Sequence, residues 1–199
     1  MNIFYLIQEG LKLRMRMNIY TVGHSTHSID DFLNILHHVQ TEVLVDIRAF
    51  PSSRKFPQYN QEQFKKSLEI EDITYIHCPL LAGRRKKSQK IQEEINCGWE
   101  NQSFHNYADY TLTTSFQKGI KQLTTIASTK TTTYCCAERH PSRCHRLLIS
   151  NWLTAHNWNV HHLLPNSKTV VETVYHRLGK WGAMPIVEDD GTVVYPLQS

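Results

Sequence analysis

Several patterns are missing from this chain, and each absence removes a class of protein. No apolar run approaches the ~20 residues needed to span a bilayer, so an integral helical membrane protein is excluded and no membrane partner is expected. No basic stretch precedes the apolar segment Ile3–Ile7 and no small-residue cleavage site follows it, which argues against a secretory signal. There is no CxxC pair, so a zinc ribbon is not expected. Neither a Walker-type glycine loop nor a GxGxxG fingerprint occurs, which disfavours ATP hydrolysis and dinucleotide redox chemistry. Internal repeats and low-complexity tracts are also lacking. The charge imbalance is small: 22 Lys and Arg against 18 Asp and Glu give +4 with neutral histidines, which permits an anionic partner without demanding one.

What is present is a globular composition, 40% hydrophobic and 20% charged over 199 residues, enough for one domain. A chain of this size buries roughly 70% of its unfolded surface and needs no disulfide or metal to fold. Its five cysteines (Cys78, Cys97, Cys135, Cys136, Cys144) are odd in number and two are adjacent. That usage points to a reducing, cytoplasmic setting. Met17-Asn18-Ile19-Tyr20 repeats the flavour of Met1-Asn2-Ile3-Phe4. Met17 is therefore expected to open a single domain over 17–164, with 1–16 an appendage and 165–199 a tail packed on it.

Strands and helices alternate along the pattern. Asn18–Val22, Val43–Ile47, Ile73–Cys78, Thr131–Cys136 and Asn159–Leu164 read as β-branched or apolar strands. Ser28 and Asp31 have capping-box spacing ahead of an Ile29, Phe32, Leu33, Leu36 stripe. Asn60 is placed to cap a second helix, Ser103 to about Ser128 is helical with a break near Thr111–Thr114, and Pro141 suits the first turn of another. The tail is expected to hold a helix over Thr169–Leu178 and a hairpin around Asp190-Gly191. Such alternation predicts an α/β fold, a mostly parallel sheet flanked by helices in a Rossmann-like open arrangement. A partial or distorted barrel is the rival.

In such folds ligands bind outside the carboxyl ends of the parallel strands. The reactive residues of this chain sit at those ends: His24 and Ser25 after the first strand; Asp46, Arg48, Ser53 and Arg54 after the second; Gly83 and Arg84 after the third; Cys136, Glu138, Arg143, Cys144, His145 and Arg146 after the fourth.

Taken together, Tyr20–Ser25 (YTVGHS), Val45–Arg48 (VDIR) with Pro51–Arg54 (PSSR), Leu81–Arg85 (LAGRR), Phe104–Tyr110 (FHNYADY), and Cys136–Glu138 (CAE) with Cys144–Arg146 (CHR) resemble the domain of unknown function 488 family of small α/β proteins. The resemblance runs over roughly residues 18–164 and departs at Ala82, where the family usually shows a second glycine. It implies one shared site and brings no established reaction.

The residues themselves suggest an Arg-rich anion pocket, with Arg48, Arg54, Arg143 and Arg146 as the holding groups and a helix N-terminus beside them. Asp46, Glu138 and His24 are the candidates for acid–base work, and Ser25, Ser53, Gly83, Arg84 and His145 for contacts to the substrate. Glu138 reads equally as a counterion to the arginines, Asp46 as an orienting group for His24 or Arg48, and His145 as a structural histidine.

The strand–Cys–loop–helix layout is similar to the active-site loop of rhodaneses and Cys-dependent phosphatases. Arg143 lies seven positions after Cys136, one more than the phosphatase spacing, and Glu138 in the loop would repel a phosphate. Cys144 next to His145 is a possible low-pKa thiol, but a buried packing role is the preferred reading. Cys136, Cys144 and His145 would bind a metal only with a fourth ligand from elsewhere. No metal or cofactor is expected.

The leading functional reading is an enzyme that hydrolyses or transfers a group from a phosphorylated or nucleotide-like substrate. One alternative is a nucleic-acid-binding module using Arg84–Lys90, with Tyr107 or Trp99 stacking on bases. Another is a sulfur-transfer or redox protein built on Cys136 and Cys144. Oligomeric state is left open.

Overall fold

Short apolar strands that feed amphipathic helices can bury both faces of a sheet only by layering helices on each side. The computed structural model, which describes residues 17–166 and 171–197, has this arrangement. The expected appendage 1–16 lies outside the described residues. In chain order the elements are β1 (Asn18–Gly23), α1 (Ile29–His38), β2 (Val43–Asp46), α2 (Gln61–Ile70), β3 (Thr74–His77), α3 (Gln102–Thr111), α4 (Thr114–Ala127), β4 (Thr132–Cys136), α5 (Arg146–Ala155), β5 (Asn159–Pro165), β6 (Val171–Tyr175), β7 (Ile186–Val187) and β8 (Val193–Val194). The main sheet has the order β3-β2-β4-β1-β5-β6, the first five strands parallel and β6 antiparallel to β5. It is an open α/β sheet, and the barrel alternative is not observed.

Strand alternation divides the core in two. Ile19, Val43, Val45, Tyr134 and Cys136 face the layer of α3, α4 and α5, where Tyr107, Phe116, Leu123, Leu147 and Leu153 are buried. Val22, Leu44, Cys135 and Leu163 face α1 and α2 and meet Phe32, Leu36, Phe64 and Leu68. The neighbouring cysteines of β4 thus belong to opposite layers.

Local chemistry sets the helix starts. Ser28 Oγ accepts from the Asp31 N–H, Asn101 Oδ1 from those of Ser103 and Phe104, and Thr113 Oγ1 from that of Phe116, which breaks α3 from α4 near the expected position. Asn60 precedes α2, but its side chain accepts from the Ser53 N–H instead of capping the helix.

Two expectations are corrected. The predicted helix over Thr169–Leu178 is contradicted by β6, whose β-branched residues pair with β5 from Val171 to Tyr175. Pro141 opens a single 3₁₀ turn, Pro141–Arg143, while the helix itself begins at Arg146. The hairpin around Asp190-Gly191 is present as β7 and β8, with Gly191 at φ +87°. Beyond it, Tyr195 is buried in the α3–α5 layer, its backbone paired with Ile95 and Gly98 and its hydroxyl accepting from Asn151.

Candidate active site

Because β4 lies between β1 and β2, its carboxyl end emerges at the middle of the sheet, where chain connections diverge to either side. A cleft of about 400 Å³ opens there. Its wall is built from the segments that follow β2, β3 and β4 together with the first turns of α3. Cys136, Glu138, Arg143, Cys144 and His145 come from the loop between β4 and α5.

That loop must fold back to bring Cys144 against Cys136, and a buried arginine holds it there. Arg146 is fully buried; Nη2 donates to the carbonyl oxygens of Glu138 and Arg139, and Nη1 donates to Thr21 Oγ1. Gly23 makes the approach possible, since a Cβ there would lie 1.8 Å from the Glu138 carbonyl oxygen. No described carboxylate pairs with Arg146.

The result is a compact sulfur–imidazole cluster in which the ligating atoms of Cys136, Cys144 and His145 all lie within 4.8 Å of one another. His145 Nε2 donates to the Ile47 carbonyl oxygen at 3.3 Å, so Nδ1 carries the free lone pair. That nitrogen is 3.6 Å from Cys144 Sγ. Burial opposes charge on Cys144, but the Cys136 thiol that hydrogen-bonds to it, the adjacent imidazole and Arg146 outweigh that effect and hold its pKa well below the ordinary thiol range. Cys136, which shares its proton with Cys144 and is also buried, is pushed well above it. Cys135, in the opposite layer, is raised by burial and remains a neutral core thiol.

Three further arginines face the cleft. Arg84 sits at φ +56° with its guanidinium 5.6 Å from the Phe50 ring, Arg85 stacks on Tyr110 at 3.6 Å, and Arg143 is exposed. Among the described residues none of them forms an ion pair. Arg85 Nε is buried without a partner. Glu138 is the only carboxylate in the lining, so the cleft is net cationic.

The other candidates from the sequence are distributed differently. Gly83, Arg84, Arg143, Cys136, Glu138, Cys144 and His145 come together in the cleft. Arg48 reaches its edge, but Nε and Nη2 are committed to the Asp46 carboxylate at 2.6–2.9 Å, and Tyr75 donates to the same group.

Asp46 is fully buried on the α1–α2 side, bonded to Arg48, and does not line the cleft. His24 stacks on Tyr59 at 4.0 Å, donates through Nδ1 to Ser25 O and accepts from Arg48 through Nε2. Burial, then the Arg48 charge, lowers its pKa to about 4, so it is a neutral structural group with both nitrogens engaged. Ser25 turns the chain at φ +48° outside the cleft lining. Ser53 and Arg54 border a separate surface hollow with Pro57 and Asn60. Arg146 is the loop clamp, not a ligand-facing group.

Phe50 and Phe104 line the cleft without being expected there, beside Tyr107, the base-stacking candidate of the nucleic-acid reading. Tyr107 donates to Leu81 O and is buried, and Trp99 stacks on Phe104 within the core, so neither face is free to receive a base.

An open, mostly parallel α/β sheet carrying a two-cysteine, one-histidine cluster at the carboxyl end of its central strand defines the class. Within it, the chain belongs to the family described as "Domain of unknown function DUF488", whose model matches residues 28–153. The match starts just after the Gly23–Ser25 turn and runs through Cys136–Arg146 into α5. Comparison with curated proteins and with solved structures finds no match.

Proposed function

We propose that the chain is a cysteine-dependent enzyme that holds a small anionic substrate against Arg84, Arg85 and Arg143 and transfers a group from it through Cys144. The observation that carries this reading is the placement of the Cys144–His145 pair in the wall of a cleft where Arg84, Arg85 and Arg143, unlike Arg48, have no carboxylate partner among the described residues. Arg146, fully buried without a carboxylate partner, is among the charges that favour the thiolate form of Cys144. His145 accepts or returns the thiol proton at Nδ1, Glu138 is the group in reach for acid–base work on the substrate, and the arginine forks suit phosphate or similar oxyanions. Relative to the expectation from sequence, the anion-holding role moves from Arg48, Arg54 and Arg146 to Arg84 and Arg85, while Arg143 keeps it. The chemistry moves from Asp46 and His24 to the sulfur centre.

Alkylation tests both halves at once. Iodoacetate is an anion and iodoacetamide its neutral counterpart. With the full chain at pH 6, Cys144 is expected to react faster than the partly exposed Cys97, to prefer iodoacetate, and to lose that preference in high salt. Peptide mass mapping with Cys144→Ser as the control reads the outcome. Labelling of Cys144 no faster than Cys97, or without preference for the anion, would overturn the proposal.

A further inference from the structure

The sulfur and nitrogen atoms gathered at the head of the cleft are also a ligand set. We propose that Cys136 Sγ, Cys144 Sγ and His145 Nδ1 bind one thiophilic divalent cation of the Zn²⁺ type, and that the bound ion masks Cys144. The site itself rests on donor geometry; its regulatory consequence rests on the reading of Cys144 as the reactive group.

Zn–S bonds of about 2.3 Å and Zn–N bonds of about 2.0 Å in a tetrahedron leave neighbouring S and N donors roughly 3.5 Å apart. Cys144 Sγ and His145 Nδ1 are already 3.6 Å apart, and all three donor atoms fit within 4.8 Å. Closure onto an ion therefore asks only for small side-chain adjustments. The imidazole is also oriented for the purpose. Its Nε2–H is spent on the Ile47 carbonyl, the outer contact usual for a metal-bound histidine, and Nδ1 is turned toward the sulfurs.

Two sulfurs and one imidazole favour Zn²⁺ and similar soft or borderline ions over Mg²⁺ or Ca²⁺, which take oxygen donors. Cys136, Cys144 and His145 all line the cleft, so the fourth position faces it and is free for water or an anion. Three protein ligands with an open position are the arrangement of exchangeable or catalytic sites, not of closed structural ones. The fold has its own two-layered core and does not depend on the ion.

Binding is balanced in protons. Each thiol proton displaced by the ion leaves to solvent, and the two sulfurs then carry two negative charges against the two positive charges of the metal. With its lone pair committed to the metal, Cys144 no longer attacks an alkylating agent, and a chelator restores it.

The test uses the full chain freed of metal with a chelator, then titrated with Co²⁺ and Zn²⁺. One equivalent of Co²⁺ is expected to give sulfur-to-cobalt charge-transfer bands with the visible bands of a tetrahedral ion, displaced by Zn²⁺ and lost in Cys136→Ser and in Cys144→Ser. One equivalent of Zn²⁺ is expected to slow iodoacetamide labelling of Cys144 by at least about tenfold, reversed by chelator, with Cys97 unaffected. If the serine variants misfold, the protection assay on the unaltered chain decides by itself.

Cobalt bound without charge-transfer bands, bands that persist in the variants, or Zn²⁺ that leaves Cys144 labelling unchanged would each overturn the site. Fast labelling of the metal-free chain together with no cobalt bands would sink the metal site and leave the thiolate reading standing. Full cobalt bands with slow labelling of the metal-free chain would do the opposite.

Discussion

Arg146 and Glu138 meet through the main chain: the guanidinium Nη2 donates to the Glu138 carbonyl oxygen, and the Glu138 carboxylate is left to the cleft. One cation thereby fixes the shape of the loop between β4 and α5 without neutralising its acidic side chain. Thr21 on β1 and the Arg139 carbonyl complete the clamp.

Arg146→Met therefore removes three donor contacts and leaves two carbonyls and a hydroxyl without their donor. Charge-assisted hydrogen bonds contribute roughly 1.5–3 kcal/mol each, so a loss of about 3 kcal/mol or more is expected in chemical denaturation. Arg146→Lys, with one nitrogen where three contacts are needed, should recover only part of it. The same variants are expected to slow Cys144 alkylation, since Cys144 is placed by this loop. A stable Arg146→Met protein with unchanged labelling would refute the clamp.

Acid should weaken the fold through its buried histidines. His24 and His176 both titrate at about 4 in the native chain, mainly because they are buried, against 6.5 when unfolded. Between those two values the unfolded chain binds more protons, so this part of the stability is complete above pH 6.5 and drains away as the pH falls toward 4. Each shift corresponds to about 3 kcal/mol at the end of that window. Urea midpoints measured from pH 7.5 to 4.5 should fall accordingly, and His176→Gln should flatten the slope. Midpoints that stay level over that range would contradict the assignment of both imidazoles as neutral.

Gly83 backs the His145 ring: a Cβ at this position would lie 2.8 Å from Nδ1. Gly83→Ala must push the imidazole, and the contact it makes with Cys144 is the one that shifts. Overpacking of this kind costs about 1–3 kcal/mol. A drop on the order of tenfold in Cys144 labelling at pH 6, equivalent to about one pKa unit, is expected with the far-ultraviolet spectrum unchanged. Unaltered labelling in a folded Gly83→Ala protein would show that the ring position is not what makes the thiol reactive.

Most strands were legible because their residues offered no other reading. Val43–Val45 is a run of apolar residues too short for a helix, and with Asp46 it forms a strand that is buried throughout. Residues 171–178 were misread because Val171, Val174 and Leu178 also satisfy helical spacing. The free edge of β5 decides the matter by pairing with Val171–Tyr175.

The site was half legible. A cleft does open at the strand ends, yet parity within a strand determines which layer a residue joins. Asp46 falls on the α1–α2 side and Cys136 on the other, so residues that sit at neighbouring strand ends do not share a cleft. Charge misled in the same way. Arg146 reads in sequence as a group that holds the anion, and the returning carbonyls of Glu138 and Arg139 instead take up its guanidinium inside the fold. Cys144 was expected to be buried and is, but the distance to its own neighbour's Nδ1 depends on the Ile47 contact made across the fold.

The late segment around Tyr195 imposes an order on assembly. Its backbone joins Ile95 and Gly98, its amide donates to Asn96, and its hydroxyl meets Asn151 on α5. The stretch leading into α3 thus lacks its partner until residue 195 leaves the ribosome. A nascent chain can lay down β1 to β5 early, but this flank of the α3–α5 layer closes last. A chain that stops short of residue 195 would therefore leave Ile95, Asn96, Gly98 and Asn151 without these partners, so the last few residues of the sheet's far flank act as its fastening.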